Sequence, residues 1–232
     1  MQSSKEVMDS AIKFGNIKPE LWEGVHRDGS FRKMYNKGLR LRNSNKWERN
    51  AYLDCIVGCF MSHFSLWEES VRTNERIMIL EHDAIFMNEY KDVYYDGILN
   101  IGKPLWGDWY NDFSDGIVVR DLSKCTKPHY EDAVIDKPEY CQCERNWIIG
   151  AHSYIVTPSV SKKLIAQATA GGIVPTDIFL QTEHFPIADY LPYCARQHQH
   201  FTTIQKDHKG EEWWEATTSQ FDEWISGEDA WI

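Results

Sequence analysis

Apolar residues recur at spacings of three and four through Leu53, Ile56, Phe60, His63, Phe64 and Trp67, while Asp54, Gly58, Ser62, Ser65 and Glu69 share the other side. That period predicts the longest helix of the chain over 49–71. His63 falls on the apolar stripe and reads as a core histidine with one satisfied hydrogen bond. The pattern then changes. Ile77, Met78, Ile79 and Leu80 run without alternation, as in a strand buried on both faces of a parallel sheet. The run stops at Glu81, His82 and Asp83 and resumes at Ala84.

Other elements follow from the same reading. Residues 3–14 predict a helix with Ser3 or Ser4 as N-cap. Trp22 to Asp28 reads as a short strand closed by Gly29, and 30–46 as a basic loop with one helical turn at most. Gly116 to Arg120 is a strand, 121–145 is irregular, and 147–156 is a strand broken at Gly150. Thr157-Pro158 starts a helix that stops at Gly171-Gly172. Asp177 caps or begins a further helix over Ile178 to Gln181, and Tyr193 to Arg196 forms a last strand.

Composition narrows the class. A chain of 232 residues is long enough to bury a sizeable core. No apolar run approaches the roughly 20 residues that span a bilayer. The start, MQSSKEVMDS, has no apolar signal core, so a cytoplasmic protein with reduced thiols and no integral membrane contact is expected. A net charge of −10 argues against non-specific nucleic-acid or anionic-membrane binding. Much of that charge is local. The segment beyond Lys209 holds no Lys or Arg but includes Glu211, Glu212, Glu215, Asp222, Glu223, Glu228 and Asp229, with Trp213, Trp214, Trp224 and Trp231. The expected organisation is therefore a domain over 1–210 and an acidic, Trp-rich segment over 211–232 that packs on the domain or a partner.

Candidate chemistry centres on Glu81 and Asp83. Two carboxylates one residue apart, at the end of a buried strand, stand where open α/β sheets bind ligands. Such paired oxygens suit Mg²⁺ or Mn²⁺, with a diphosphate completing the shell; the plainer reading is a polar turn in water. Asp177 is either a helix cap or a catalytic carboxylate. Trp106, Trp109, Tyr110 and Phe113 could floor a sugar site or belong to a core. Arg32, Arg40 and Arg42 form a positive patch, either solvated or facing a phosphate. Cys55 and Cys59 read as small core residues. Cys141 and Cys143, with Cys125 or Cys194 and the late histidines His198, His200 and His208, give a weak zinc pattern.

Four segments in order resemble glycosyltransferase family 25: GCFMSHFSLWE (58–68), IMILEHDAIF (77–86), GAHSYIVTPSVSKKLI (150–165) and PTDIFL (175–180). The family shows G-C-x-x-S-H-x-x-x-W, L-E-D-D, G-x-x-x-Y-x-x-x-x-x-x-A-K-K-L and P-x-D, and Arg27 to Gly29 is similar to its A-V-D-G. The resemblance spans roughly 20–205. It implies an α/β fold of GT-A type, a Rossmann-like αβα sandwich, and metal-dependent, inverting transfer of a hexose from a nucleotide diphosphate sugar, with UDP and Mn²⁺ (or Mg²⁺) first in line. By the same resemblance Glu81 and Asp83 become the diphosphate–metal ligands, Asp177 the base, Ser62 and His63 a support behind the site, and His208 or His198 a further metal ligand. Two positions depart. His82 replaces the middle acid of E-D-D, and no segment matches the family's opening V-I-N-L-D-R strand, so a sandwich without that first strand is expected. The acceptor is left open among a lipopolysaccharide or capsular glycan, a protein hydroxylysine and a hydroxylated DNA base. The alternatives are a catalytically silent GT-A-like binding or assembly module and a structural zinc protein.

Overall fold

The computed structural model describes residues 2–42, 53–103, 116–122, 148 and 150–198. By compactness the chain divides into Met1–Phe201 and Thr202–Ile232, and every described residue belongs to the first unit. The expected boundary near 210 and the Trp-rich segment lie outside the described residues, as do Trp106, Trp109, Tyr110 and Phe113.

The architecture is mixed α/β. Among the described residues, helices α1 (Gln2–Gly15), α2 (Arg27–Asn36), α3 (Leu53–Thr73), α4 (Pro158–Gly171) and α5 (Thr176–Phe179) accompany eight strands. The strands are β1 (Ile77–Leu80), β2 (Ala84–Phe86), β3 (Ile98–Asn100), β4 (Gly102–Lys103), β5 (Val118–Asp121), β6 (Ser153–Val156), β7 (Ile187–Leu191) and β8 (Ala195–Gln197). Five form one sheet in the order β1-β6-β3-β7-β5, and three form a second in the order β2-β8-β4.

The main sheet corrects one expectation. β1 is not in a parallel sheet: it pairs antiparallel with β6, Ile79 opposite Tyr154, and stands at the edge of the described sheet. Among the described strands of this sheet only β3 and β7 run parallel. The apolar run of β1 reports two covered faces rather than strand direction. Ile77 and Ile79 pack with the core beneath α3 and α4, whereas Met78 and Leu80 pack against the cluster on the α1 side. β6 makes the same division. Tyr154 and Val156 enter the first cluster and Ile155 the second, as the period of two requires. The sheet therefore has covered layers on both faces.

Three chain segments pass from the large sheet to the small one: β1 to β2, β3 to β4, and β7 to β8. Each changes direction at a short break. The first is Glu81-His82-Asp83, closed by Ala84 N–H donating to the Glu81 carbonyl at 3.1 Å. The second is Ile101, whose carbonyl accepts from Cys194 and Ala195 N–H. The third follows the cis Leu191–Pro192 bond. The acidic turn thus sits on a seam between two sheets, fixed by backbone pairing on either side.

Two further expectations change. Trp22 to Asp28 is not a strand: the chain lacks regular structure until α2 begins at Arg27, where the His26 ring accepts from Asp28 N–H. That cap turns the region read as a loop into a helix of 10 residues. The patch around Arg40 and Arg42 is partly committed to the fold. Arg40 donates to the Ala170 carbonyl near the end of α4, and Arg42 N–H donates to the Ile173 carbonyl. α4 matches its sequence signals, from Thr157 before Pro158 to Gly172 at φ 81°. A Cβ at Gly172 would lie 2.9 Å from the Arg40 carbonyl, so position 172 needs both the positive φ and the missing side chain.

Candidate functional site

α3 presents Cys59 and His63 to the acidic turn and Gly58 and Ser62 to the 20–26 segment. Gly58 comes first: a Cβ there would lie 2.8 Å from the Val25 carbonyl, so its absence lets the 20–26 segment cross the helix closely. Ser62 fixes that crossing, accepting from Val25 N–H at 2.8 Å while donating to the Gly58 carbonyl. Cys59, one position after the glycine, faces inward. Its thiol lies 3.7 Å from Glu81 Oε1 and 3.8 Å from Thr176 Oγ1 at the start of α5. Cys59 is therefore part of the site rather than only core filling.

His63 follows four residues later and is 3% exposed. Both ring nitrogens are used, against the expectation of one. Nδ1 lies 2.7 Å from the Tyr154 hydroxyl and Nε2 lies 2.9 Å from Glu81 Oε1. Trp67, another turn along α3, donates its indole N–H to the same hydroxyl at 3.2 Å. The His63 and Tyr154 rings lie within 5° of parallel.

The two acids of the turn differ in environment. Burial works against a charge on Glu81, but the His63 hydrogen bond and the neighbouring histidines outweigh it and hold the carboxyl below its usual range. Asp83 moves the other way, raised by burial and then by the Glu81 charge. Asp83 Oδ2 accepts from Gln197 at 2.9 Å, whereas Oδ1 is buried with no partner among the described residues. A bare buried carboxylate oxygen is costly without a donor or a cation. This oxygen, beside a second carboxylate held ionised, fits a hard divalent ion.

Asp177 lies on α5, facing the same region. Its Oδ1 accepts from Ile178 N–H at 3.0 Å, but the helix spans Thr176–Phe179 with Pro175 as its N-cap and no side-chain cap bond, so Asp177 lies in the first turn rather than capping it. Burial, aided by the Glu81 charge, nevertheless pushes it up to about 6. His152, just before β6, is 2% exposed, and burial lowers it to about 4. Its carbonyl accepts from Glu81 N–H at 2.8 Å, while both ring nitrogens lack partners among the described residues. The structure thus brings Glu81, Asp83 and Asp177 into one electrostatic neighbourhood and adds Cys59, His152, Tyr154 and Gln197, which sequence reasoning did not single out. Among the late histidines, His198 N–H donates to the Asp83 carbonyl at 2.7 Å; His200 and His208 lie outside the described residues. So do Cys125, Cys141 and Cys143, while Cys194 is a buried thiol that burial pushes up to about 12.

On distance alone, Cys59, His63 and Glu81 form a cluster whose ligand atoms lie within 4.8 Å of one another. Among the described residues, no helix is long and apolar enough to cross a membrane.

Residues 36–180 match Glycosyltransferase family 25 (LPS biosynthesis protein). The chain belongs to this family. Among curated relatives it is similar to Procollagen galactosyltransferase 2 of Homo sapiens, 26% identical over 141 residues that cover 59% of this chain and 21% of the relative. It is also similar to Glycosyltransferase 25 family member of Anopheles gambiae, 24% identical over 156 residues, 65% of this chain and 24% of the relative. The chain spans about a fifth to a quarter of the length of these relatives. Within the family 25 match, Cys59 and His63 of the first motif contact Glu81, Trp67 and Tyr154 stand behind His63, and Gly58 and Ser62 seat the 20–26 segment on the helix.

Proposed function

We propose that this family 25 chain carries a GT-A-type active site that transfers a hexose from a nucleotide diphosphate sugar, UDP-linked first, to an acceptor hydroxyl with inversion. The observation that carries the reading is the acidic turn. Glu81 is held ionised by His63, and Asp83 offers a buried oxygen with no partner among the described residues. Glu81 and Asp83 would hold a divalent cation of the Mg²⁺ or Mn²⁺ class, with His208 as a candidate further ligand. When bound, that cation supplies charge neutralisation for the diphosphate leaving group.

The chain's own residues cover the remaining roles. Asp177, pushed up to about 6, is basic enough to take the acceptor proton and still mostly ionised at neutral pH. Direct attack of the hydroxyl on the anomeric carbon then inverts the centre in one displacement, with no covalent enzyme intermediate. The Ile178 N–H bond keeps the Asp177 carboxylate oriented.

The acceptor is proposed as a hydroxyl on a glycan or a protein, because the family is one of lipopolysaccharide biosynthesis and a similar relative is a procollagen galactosyltransferase. The test incubates purified protein with UDP-galactose or UDP-glucose, Mn²⁺ and a panel of such acceptors, and follows UDP release and the anomeric configuration of the product. Metal-dependent release that Asp177→Asn suppresses is expected. Release that survives a chelator would contradict the site. His82, a base between the two acids, favours a second reading, a silent binding module. Nucleotide binding without turnover on any acceptor would select it.

A further inference from the structure

The Trp67–Tyr154–His63–Glu81 chain has only one proton arrangement that satisfies every member. The indole N–H of Trp67 can donate but not accept. The Tyr154 hydroxyl is buried, and its partners among the described residues are Trp67 Nε1 at 3.2 Å and His63 Nδ1 at 2.7 Å. Its own proton must therefore go to His63 Nδ1. That nitrogen is then an acceptor, and the ring carries its hydrogen on Nε2, 2.9 Å from Glu81 Oε1. The opposite tautomer would aim two donors at the Tyr154 oxygen and leave its hydroxyl hydrogen without an acceptor. It would also set a bare imidazole lone pair against a carboxylate. Each fault leaves a buried polar group unsatisfied.

We propose that Tyr154, anchored by Trp67, is a positioning residue that fixes His63 as the Nε2–H tautomer and thereby orients Glu81 at the metal site. The inference rests on Glu81 being a ligand of the diphosphate-bound cation. It also gives the Cys59–His63–Glu81 cluster a different meaning. The three ligand atoms are close enough to hold a soft cation, but Nε2 is already occupied by a proton shared with Glu81. His63 is an orienting donor, not a ligand. Partners of this kind behind a ligating side chain change metal affinity by about 10–100-fold when removed.

The test has two arms. In the first, protein labelled with ¹⁵N-histidine and free of metal gives a long-range ¹H–¹⁵N spectrum, with the His63 signals identified by their loss in His63→Gln. The expected pattern is a protonated Nε2 and an unprotonated, hydrogen-bonded Nδ1 that loses its bond in Tyr154→Phe. A protonated Nδ1 would overturn the relay. In the second, calorimetry measures Mn²⁺–UDP binding to wild type, Tyr154→Phe, His63→Gln and His63→Leu, each checked for folding by circular dichroism. Tyr154→Phe and His63→Leu should weaken binding by about 10–100-fold. His63→Gln, whose amide N–H can stand in for Nε2–H, should recover most of it. Equal loss in His63→Gln and His63→Leu, or unchanged binding in Tyr154→Phe, would overturn the positioning role. Stoichiometric Zn²⁺ uptake that needs Cys59 and His63 would do the same. Wild-type protein with the expected tautomer but no Mn²⁺–UDP binding would overturn the site reading, and the positioning role with it.

Discussion

Replacing Asp177 by Asn separates two titrations that oppose each other in the native protein. Burial, aided by Glu81, raises Asp177 from 3.8 to about 6. Between those values the folded protein keeps a proton that the unfolded chain has released. The ionised carboxylate therefore destabilises the fold at neutral pH, and that penalty fades as pH falls through about 6 towards 4. At 1.36 kcal/mol per pH unit its ceiling is about 3 kcal/mol. Partial exposure of the side chain trims this to about 1–2 kcal/mol. His152 runs the other way. Burial, partly opposed by Glu81, lowers it from 6.5 to about 4. Its contribution is complete above 6.5 and is lost as pH falls to about 4, again with a ceiling of about 3 kcal/mol. In the wild type the two slopes offset each other across this window. In Asp177→Asn the His152 slope is no longer offset by that of Asp177. The variant should melt a few degrees higher than wild type at pH 7.5, since 1 kcal/mol is worth about 2–4 °C in a domain of this size. The advantage should shrink towards pH 4, and acid should destabilise the variant more steeply. Thermal melts at half-unit steps from pH 4 to 8 test this. A melting difference independent of pH, or a variant less stable at pH 7.5, would refute the electrostatic account of Asp177.

The same substitution should lower transfer by about 10²–10⁴-fold, the usual range for a lost general base, with the acid limb of the wild-type rate profile near pH 6 absent from the residual activity. Gly58→Ala should destabilise the protein by about 1–3 kcal/mol, because its Cβ would meet the Val25 carbonyl. Urea unfolding would show this, and the better helix propensity of alanine recovers at most about 1 kcal/mol. Arg120→Met should cost about 3–5 kcal/mol: it strips the charge partner from Asp189, which is fully buried and bonded to Arg120 at 2.6 Å and to Asn100 at 2.8 Å. Asp189→Asn would cost less if the remaining hydrogen bonds carry the site, and a double-mutant cycle separates the two contributions.

The elements legible in the sequence were those with strong local signals. α1, α3 and α4 follow from helical periodicity and from the Thr157-Pro158 and Gly171-Gly172 boundaries. What misled was the same local evidence without its partners. The run Ile77–Leu80 shows that both faces are covered, but pairing direction depends on β6, some seventy residues later. α2 was hidden because Asp28, Gly29 and Ser30 look like loop residues, whereas the His26 cap and the Ser30 bond to the Arg27 carbonyl start a helix there. Short strands such as β2, β3 and β7 gave no distinct signal because their pairings are long-range. For the site, residue types at set spacings pointed to Glu81, Asp83 and Asp177. The His63–Tyr154 contact joins residues from α3 and β6, and only the folded chain brings them together. The motif positions of Trp67 and Tyr154 were visible, but their shared hydrogen bond was not.

The central claim is that Glu81 and Asp83 form a cation site for a nucleoside diphosphate. Isothermal calorimetry of UDP, with Mn²⁺ and with a chelator, on wild type and Asp83→Asn tests it most directly. Saturable binding that requires Mn²⁺ and is lost in Asp83→Asn is the expected result. Equal binding with and without metal, or binding retained by the variant, would contradict it.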